Sequence, residues 1–392
     1  MGVPLIYSFR SVAIRKGSSS MAVGGIALVV IVFAVLLALA EGFRKAVAST
    51  GSPRHIMVIR KGADAELQSQ LQRDHARIIE ELPMVARNAK GVPLAVQETV
   101  IILQRAKQSG GTTNMTVRGT QPNADQVHVG LKLTEGRWFN PGSGEAIVGL
   151  GLARRMKNMQ LGDEMPAGKF SFKIVGIFEA GGSALESECW ADLEVVQAVF
   201  HRGNIVQSML FQAAGDPQQS VKDLEKFMEN DPRLRTQQAI IETAYYKKQS
   251  ELLAAVITIL GGILTMIMAV GAVAGAMNTM YAAVSSRQRE IGCLLSMGFT
   301  PASIWIAFIL ESLILSLIGA ALGCAIGWFM FHGMKTGTTN WATFSETAFE
   351  FSFTPEIMIK ATVLALSMGF IGGFLPAVQA ARMKVVDALR RA

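Results

Sequence analysis

Four stretches of this chain, roughly Met21–Ala40, Leu252–Tyr281, Ala302–Phe331 and Ile357–Ala380, are long and apolar enough to cross a lipid bilayer. A spanning helix needs about 20 consecutive, mainly apolar residues, because the hydrocarbon offers no water to an exposed backbone. Four such runs exclude a wholly soluble fold, and 50% hydrophobic residues in 392 agree with that. The runs also divide the chain. About 210 residues of ordinary globular composition, rich in charge and turn residues, separate the first from the second. The expected class is a membrane protein with four transmembrane α-helices. A large extracytoplasmic α+β domain, a core plus a β-rich insertion, lies between helices 1 and 2.

Charge sets the orientation. Arg10, Arg15 and Lys16 precede the first run; Arg287 and Arg289, with Glu290, lie between the second and third; Arg382, Lys384, Arg390 and Arg391, with Asp387, follow the fourth. These short segments alone carry a net +7, the value of the whole chain. The pI of 9.4 is therefore a positive-inside signature rather than a nucleic-acid footprint, and no nucleic-acid partner is expected. Both termini are expected in the cytoplasm, in a multi-pass protein. The first run is longer than a signal-peptide core and passes into Glu41-Gly42-Phe43-Arg44-Lys45 without a small-residue cleavage site, so it reads as a retained helix.

The expected division is 1–20, a cytoplasmic interfacial helix; 21–41, the first span; 42–250, the extracytoplasmic domain with its insertion at about 119–204; and 251–282, a stalk and second span. There follow 283–301, a cytoplasmic helix; 302–332, the third span; 333–356, a short outer loop; 357–380, the fourth span; and 381–392, a cytoplasmic tail. The arm Pro4–Lys16 places Leu5, Ile6, Phe9, Val12 and Ala13 near helical spacing, which suits a helix lying on the inner leaflet or else a merely solvated arm. In the domain, strands are expected at His55–Arg60, Leu94–Leu103, Thr113–Val117, Glu145–Val148, Phe170–Phe178 and Ile205–Ala213. Helices are expected at Glu66–Leu82, Leu150–Met159 and Pro217–Glu229. Thr236–Ser250 lacks a strong breaker, so a helix there would run unbroken into the second span as a stiff stalk.

No catalytic set announces itself. Gly162–Phe170 is the nearest string to a phosphate cradle, but it has one residue too many and Phe170 where a hydroxyl belongs, so it reads as a turn before a strand. The five scattered histidines show no metal-ligand spacing. Cys189, Cys293 and Cys324 fall in different compartments, which leaves Cys189 as a buried free thiol or an intermolecular bridge. Glu311 lies about three turns into the third span, where a carboxylate is costly. It faces the bundle interior, serves a proton or substrate, or snorkels to the surface. Gly271 and Gly275 in the second span, and Gly319, Gly323 and Gly327 in the third, are small-residue rows that let helix backbones approach within one chain or between chains. Pro376 should kink or end the fourth span.

Between the second and third runs, Ser285–Trp305 reads SSRQREIGCLLSMGFTPASIW. Ile291, Leu294 and Leu295 form an apolar stripe, Arg287, Arg289 and Glu290 a polar flank, and Gly298 with Pro301 stops the helix. This wording resembles the FtsX/MacB/LolC-type permeases of ABC transporters, whose R-x-REIG-x-L-x-x-x-G pattern precedes the third span. The resemblance recurs in Glu41–Arg44, in Leu133–Phe139, in Ile174–Ile177 and in Gly373-Phe-Leu-Pro-Ala377 through Ala380-Ala381-Arg382 to Arg390; it departs at Val385, where the pattern has proline. Glu311 matches an acidic position of the family's third span.

The resemblance implies a non-catalytic permease subunit of a bacterial inner (cytoplasmic) membrane, paired with a second permease copy or a homologue and served by an ABC ATPase on a separate polypeptide. ATP and Mg would bind that partner, and no cofactor this chain. Arg287, Arg289, Glu290, Ile291, Leu294 and Gly298 would dock in the ATPase. Hydrolysis would then move the stalk and reshape the outer domain (mechanotransmission), exporting or extracting an amphiphile, lipid, lipoprotein or peptide. A periplasmic adaptor and an outer-membrane component are further implied partners. The alternative is an FtsX-like regulator activating an envelope hydrolase.

Overall fold

The computed structural model describes residues 16–128, 130–340 and 343–384. The interfacial helix expected before Lys16 and the tail from Val385 onward lie outside these residues. Helix α1 spans Lys16–Ala48. There follow β1 (His55–Arg60), β2 (Leu71–Gln72), α2 (Arg73–Glu80), β3 (Ala95–Ala106), β4 (Thr112–Thr120), β5 (Lys132–Gly136), β6 (Glu145–Gly149), β7 (Glu164–Ala167) and β8 (Phe170–Glu179). Next come β9 (Glu188–Asp192), α3 (Leu193–Val199), β10 (Ile205–Val206), β11 (Ser208–Gln212), α4 (Pro217–Asn230) and β12 (Gln237–Ile241). The chain ends with α5 (Glu242–Ser286), α6 (Gln288–Ser296), α7 (Pro301–Phe331), β13 (Lys335–Asn340), β14 (Ser345–Glu350) and α8 (Pro355–Ala381). Two units result. One takes the chain up to Glu41, Ala255–Met334 and the chain from Phe351; the other takes Gly42–Ala254 and Lys335–Glu350.

In the helical unit, α1, α5, α7 and α8 have the length and hydropathy to span a bilayer, as expected. Lipid tails are as apolar as leucine, so such helices associate through close packing and polar bonds rather than hydrophobic burial. The close contacts fall at glycines. A Cβ on Gly323 would stand 2.7 Å from Val30 and 2.8 Å from the Ala27 carbonyl, and one on Gly319 would stand 3.0 Å from Ile26, so α7 lies directly on α1. On the other side of α7, the Ser312 hydroxyl donates to the Gly369 carbonyl, and a Cβ on Gly373 would stand 2.6 Å from Ser312. Gly327 faces Phe353 at an ordinary distance. Gly271 and Gly275, expected to pack, have nothing within 4 Å of a Cβ position among the described residues. Pro376 does not end α8, which continues to Ala381.

The globular unit is built on one mixed ten-stranded sheet in the order β12-β1-β11-β3-β4-β9-β6-β8-β5, with β7 beside β8. β1 runs antiparallel to both β11 and β12, β3 pairs antiparallel with β4 (Thr99 opposite Gly119), and β4 runs parallel to β9 (Thr116 opposite Glu188). The β-rich segment after Gly119 thus extends the same sheet through β9, β6 and β8. Two apolar cores form along it. Ile56, Val58, Leu71, Ile79, Phe211 and Leu224 gather in the first. Met115, Val117, Val148, Phe172, Ile174 and Val196 gather in the second. Helix α4 starts as its sequence dictates, with Pro217 in the first turn and the Asp216 carboxylate accepting from the Gln219 N–H at 2.8 Å.

Several local expectations are corrected. Glu66–Leu82 is not one helix: after a 3-10 turn at Glu66–Gln68, the Ser69 hydroxyl accepts from the Arg60 N–H at 2.8 Å, Leu71–Gln72 pairs with β10, and the α-helix is confined to Arg73–Glu80. The helix expected at Leu150–Met159 is a single turn, Leu150–Ala153. The stalk helix begins at Glu242 because Gln237–Ile241 pairs with β1 instead. The loop expected over 333–356 contains the β13–β14 hairpin, in register from Lys335 opposite Glu350 to Asn340 opposite Ser345. The string around Gly168 is a turn before a strand, as expected; it closes the β7–β8 hairpin, with Gly168 at φ +68°.

A buried ionic network joins the two cores. The Arg118 guanidinium, 2% exposed, bonds the carboxylates of Glu66, Glu98 and Glu188 at 2.7–3.0 Å. His128 lies 2.9 Å from Glu98, and the Trp190 indole donates to Glu188 at 2.8 Å. Burial alone would push the Glu98 carboxyl up, but Arg118 and His128 outweigh it and hold it at about 2. Burial likewise opposes a charge on His128, and Glu98 reverses the outcome, raising the imidazole above its usual range. Burial lifts the Cys189 thiol to about 12, which leaves it an inert core side chain.

Candidate functional site: the elbow between the second and third spans

Helix α5 runs for 45 residues, about 68 Å at 1.5 Å per residue, and stops at Ser286. Arg287 leaves the helical region (φ −118°, ψ 19°), and the nine-residue α6 restarts at Gln288. Its exit is chemically determined. The Phe299 N–H bonds the Leu294 carbonyl at 3.2 Å and the Gly298 N–H bonds the Leu295 carbonyl at 3.1 Å, a closure that needs Gly298 at φ +90°. Thr300 then caps α7 by accepting from the Ser303 N–H, with Pro301 in the first turn.

The six residues assigned to this elbow divide between two faces. Ile291 is 2% exposed and belongs to an apolar cluster with Met280, Val284, Ile304, Phe308 and Ala377. Arg287 also turns inward: its guanidinium donates to the Glu311 carboxylate at 3.1 Å, with the two side chains 10% and 8% exposed. Leu294 is half-buried. Arg289 and Glu290 lie on the open face with Cys293, Ser296 and Met297, and Gly298 supplies the turn. The stripe expected to enter a partner is therefore largely consumed by the bundle. Glu311 faces the bundle interior and bonds Arg287.

Sequence reading missed Gly369 and Gly373 as contact glycines, although their i, i+4 spacing is the same signal that marked α7. It also left Cys293, Ser296 and Met297 out of the elbow. Once Ile291 is assigned inward, helical spacing places them opposite.

Four helices long and apolar enough to cross a bilayer, a large mixed-sheet domain between the first two and an amphipathic elbow helix define a multi-span membrane protein. Residues 19–227 match the model of the MacB-like periplasmic core domain, and residues 252–385 match the FtsX-like permease C-terminal model. The chain belongs to the FtsX/MacB-type ABC transporter permease family. The uncharacterized ABC transporter permease YknZ of Bacillus subtilis is 25% identical over 305 residues, covering 73% of this chain and 72% of that one. The uncharacterized ABC transporter permease MJ1507 of Methanocaldococcus jannaschii is 22% identical over 273 residues, 67% and 66% of the two chains. The macrolide export ATP-binding/permease protein MacB of Shigella flexneri is 31% identical over 117 residues, 30% of this chain and 17% of that protein. Among solved structures, the periplasmic region of MacB from Actinobacillus actinomycetemcomitans aligns at 12% identity and a TM-score of 0.39, over 50% of this chain and 92% of that one.

Proposed function

We propose that this chain is the permease subunit of an ATP-driven transporter in a bacterial inner membrane. Hydrolysis by a separate ABC ATPase, which holds ATP and Mg, moves the MacB-like domain through α5 to export or extract an amphiphile, lipid, lipoprotein or peptide. The observation that carries the reading is the two-faced elbow. Its inner face is fixed to the bundle by Ile291 and the Arg287–Glu311 pair. Its outer face presents Arg289, Glu290, Cys293, Ser296 and Met297, with Met297 66% exposed. A helix fixed on one side and open on the other transmits a push rather than absorbing it. The basic residues around the elbow favour the cytoplasm for this face, where ATP is found. The match to a MacB-like core over more than half the chain favours export over hydrolase regulation.

A second permease copy is supported by the open groove between α1 and α5. Gly25, Gly271 and Gly275 line it, and a Cβ on any of the three would meet nothing within 4 Å among the described residues. The native Cys293 tests the coupling reading directly. In membranes containing the co-expressed ATPase, an impermeant maleimide should reach Cys293 from the cytoplasmic side alone and slow sharply when the ATPase is bound. Equal labelling with and without the ATPase removes the docking face.

A further inference from the structure

The strands between α7 and α8 are built into the globular domain, and one buried carboxylate carries two of the ion pairs that fasten them. Glu346 on β14, 5% exposed, receives Lys107 Nζ at 2.6 Å and the Arg155 guanidinium. Burial alone would raise its carboxyl, but Lys107, Thr113 and Arg155 hold it below the ordinary range, so it stays ionised. Lys107 follows β3, where it pairs with Met156, and Arg155 follows the single turn after β6, so both partners belong to the half that holds the second core, the β-rich half. The same half supplies Ser187, whose hydroxyl accepts from the Ala348 N–H at 2.8 Å, and Asn114, which donates to the Phe344 carbonyl at 3.0 Å. Gly337 on the facing strand makes the clamp possible, because a Cβ there would collide with both the Arg155 guanidinium and the Glu346 carboxylate.

The first turns of α5 are fastened elsewhere. Glu242 bonds His55 Nδ1 at 2.9 Å and the Ser52 N–H at 2.8 Å, and the Tyr245 hydroxyl accepts from the Glu66 N–H at 2.9 Å. Lys248 pairs with Asp64 at 2.9 Å. These partners cluster around β1, in the half that holds the first core. Arg118 joins the halves, with Glu66 on one side and Glu188 on the other.

We propose that β13–β14 is a second handle on the globular domain: through Glu346 it ties the β-rich half to α7 and α8, while α5 holds the other half. Movement of α5 relative to α7 and α8 then becomes shear between the halves, concentrated at Arg118. Glu346 is a positioning residue in this scheme, and only the source of the motion rests on the proposed function.

Hydrogen exchange on the full-length protein in lipid nanodiscs tests it, alone and with the co-purified ATPase. Without nucleotide, Glu346→Gln should speed amide exchange across 335–350 about tenfold or more, since a hydrogen bond to a charged group is lost, and leave 242–254 unchanged. Gly337→Ala should act alike while keeping every charge and displacing only the flexible ends of Arg155 and Glu346, which guards against a variant that merely fails to fold. With ATP, the wild-type complex should change exchange in both halves. In either variant only 55–60 and 237–250 should respond. Wild-type exchange across 335–350 in both variants, or an ATP response persisting in both halves of each, overturns the second handle. A wild-type complex in which nothing responds to ATP overturns the proposed function instead, and the nucleotide-free comparison still decides whether Glu346 fastens the hairpin.

Discussion

Arg287 and Glu311 form a buried ion pair, 3.1 Å apart, that ties the break after α5 to the first turns of α7. Neither element could place these charges alone: the pair forms because the break after α5 leaves Arg287 turned toward Glu311 of α7. The direction of α6 is thereby set by one electrostatic contact and one apolar contact, at Ile291.

Removing one partner strands the other. Arg287→Ala should destabilise the helical unit by about 3–5 kcal/mol, because Glu311 would keep its burial without a counter-charge. Glu311→Gln should cost less, and Arg287→Met with Glu311→Leu should recover most of the loss. Denaturation midpoints in detergent give the ranking, and a wild-type midpoint for Arg287→Ala contradicts it.

The two faces of α6 should respond oppositely to a carboxylate. Ile291→Asp buries an unpaired polar group at a cost of several kcal/mol and should reduce the yield of monodisperse protein. Met297→Asp should leave folding unchanged while ATPase co-purification falls at least tenfold, about 1.4 kcal/mol of binding. Leu294→Asp, half-buried, should show part of each effect. Retained ATPase binding in Met297→Asp means that the open face is not the docking face.

Glycines of equal sequence appearance should separate by contact. Gly323→Val would drive a side chain against Val30 and the Ala27 carbonyl and should destabilise the bundle by about 1–3 kcal/mol or more, as overpacking does. Gly275→Val should leave the single chain stable and reduce pairing of two copies, read by cross-linking and by mass in nanodiscs. Equal stability losses in the two variants would show that Gly275 is packed after all.

The Arg118 network should make the globular domain sensitive to pH at both ends. His128 has a folded pKa above its unfolded value of 6.5, so its stabilisation is complete below that pH and is lost as pH rises through the raised value. Glu98 is lowered from 4.5 to about 2, so its contribution is complete above 4.5 and is lost as pH falls toward 2. Denaturation between pH 2 and pH 9 should therefore show weakening at both extremes; His128→Gln should flatten the alkaline side and, because His128 helps hold Glu98 low, also reduce part of the acid-side loss. An unchanged alkaline slope in that variant would mean that His128 is neutral throughout.

The sequence by itself determined the four spans, the division into membrane and globular parts, and the presence of an elbow helix ended by Gly298. Run length, charge bias and capping chemistry are local quantities, written in consecutive residues. Long-range contacts decided the rest. Leu71–Gln72 is a strand because β10 pairs with it, and Gln237–Ile241 is a strand because β1 does, whatever their neighbours prefer. Gly271 and Gly323 look alike in sequence, yet Gly323 has α1 against it and Gly271 has open space among the described residues. Arg287 reads as a surface cation until Glu311, 24 residues away, is brought beside it, and Glu346 reads as a loop residue until Lys107 and Arg155 surround it. A side chain's periodicity says which face of its helix it shares, but only the partner packed on that face says whether it is buried, paired or open.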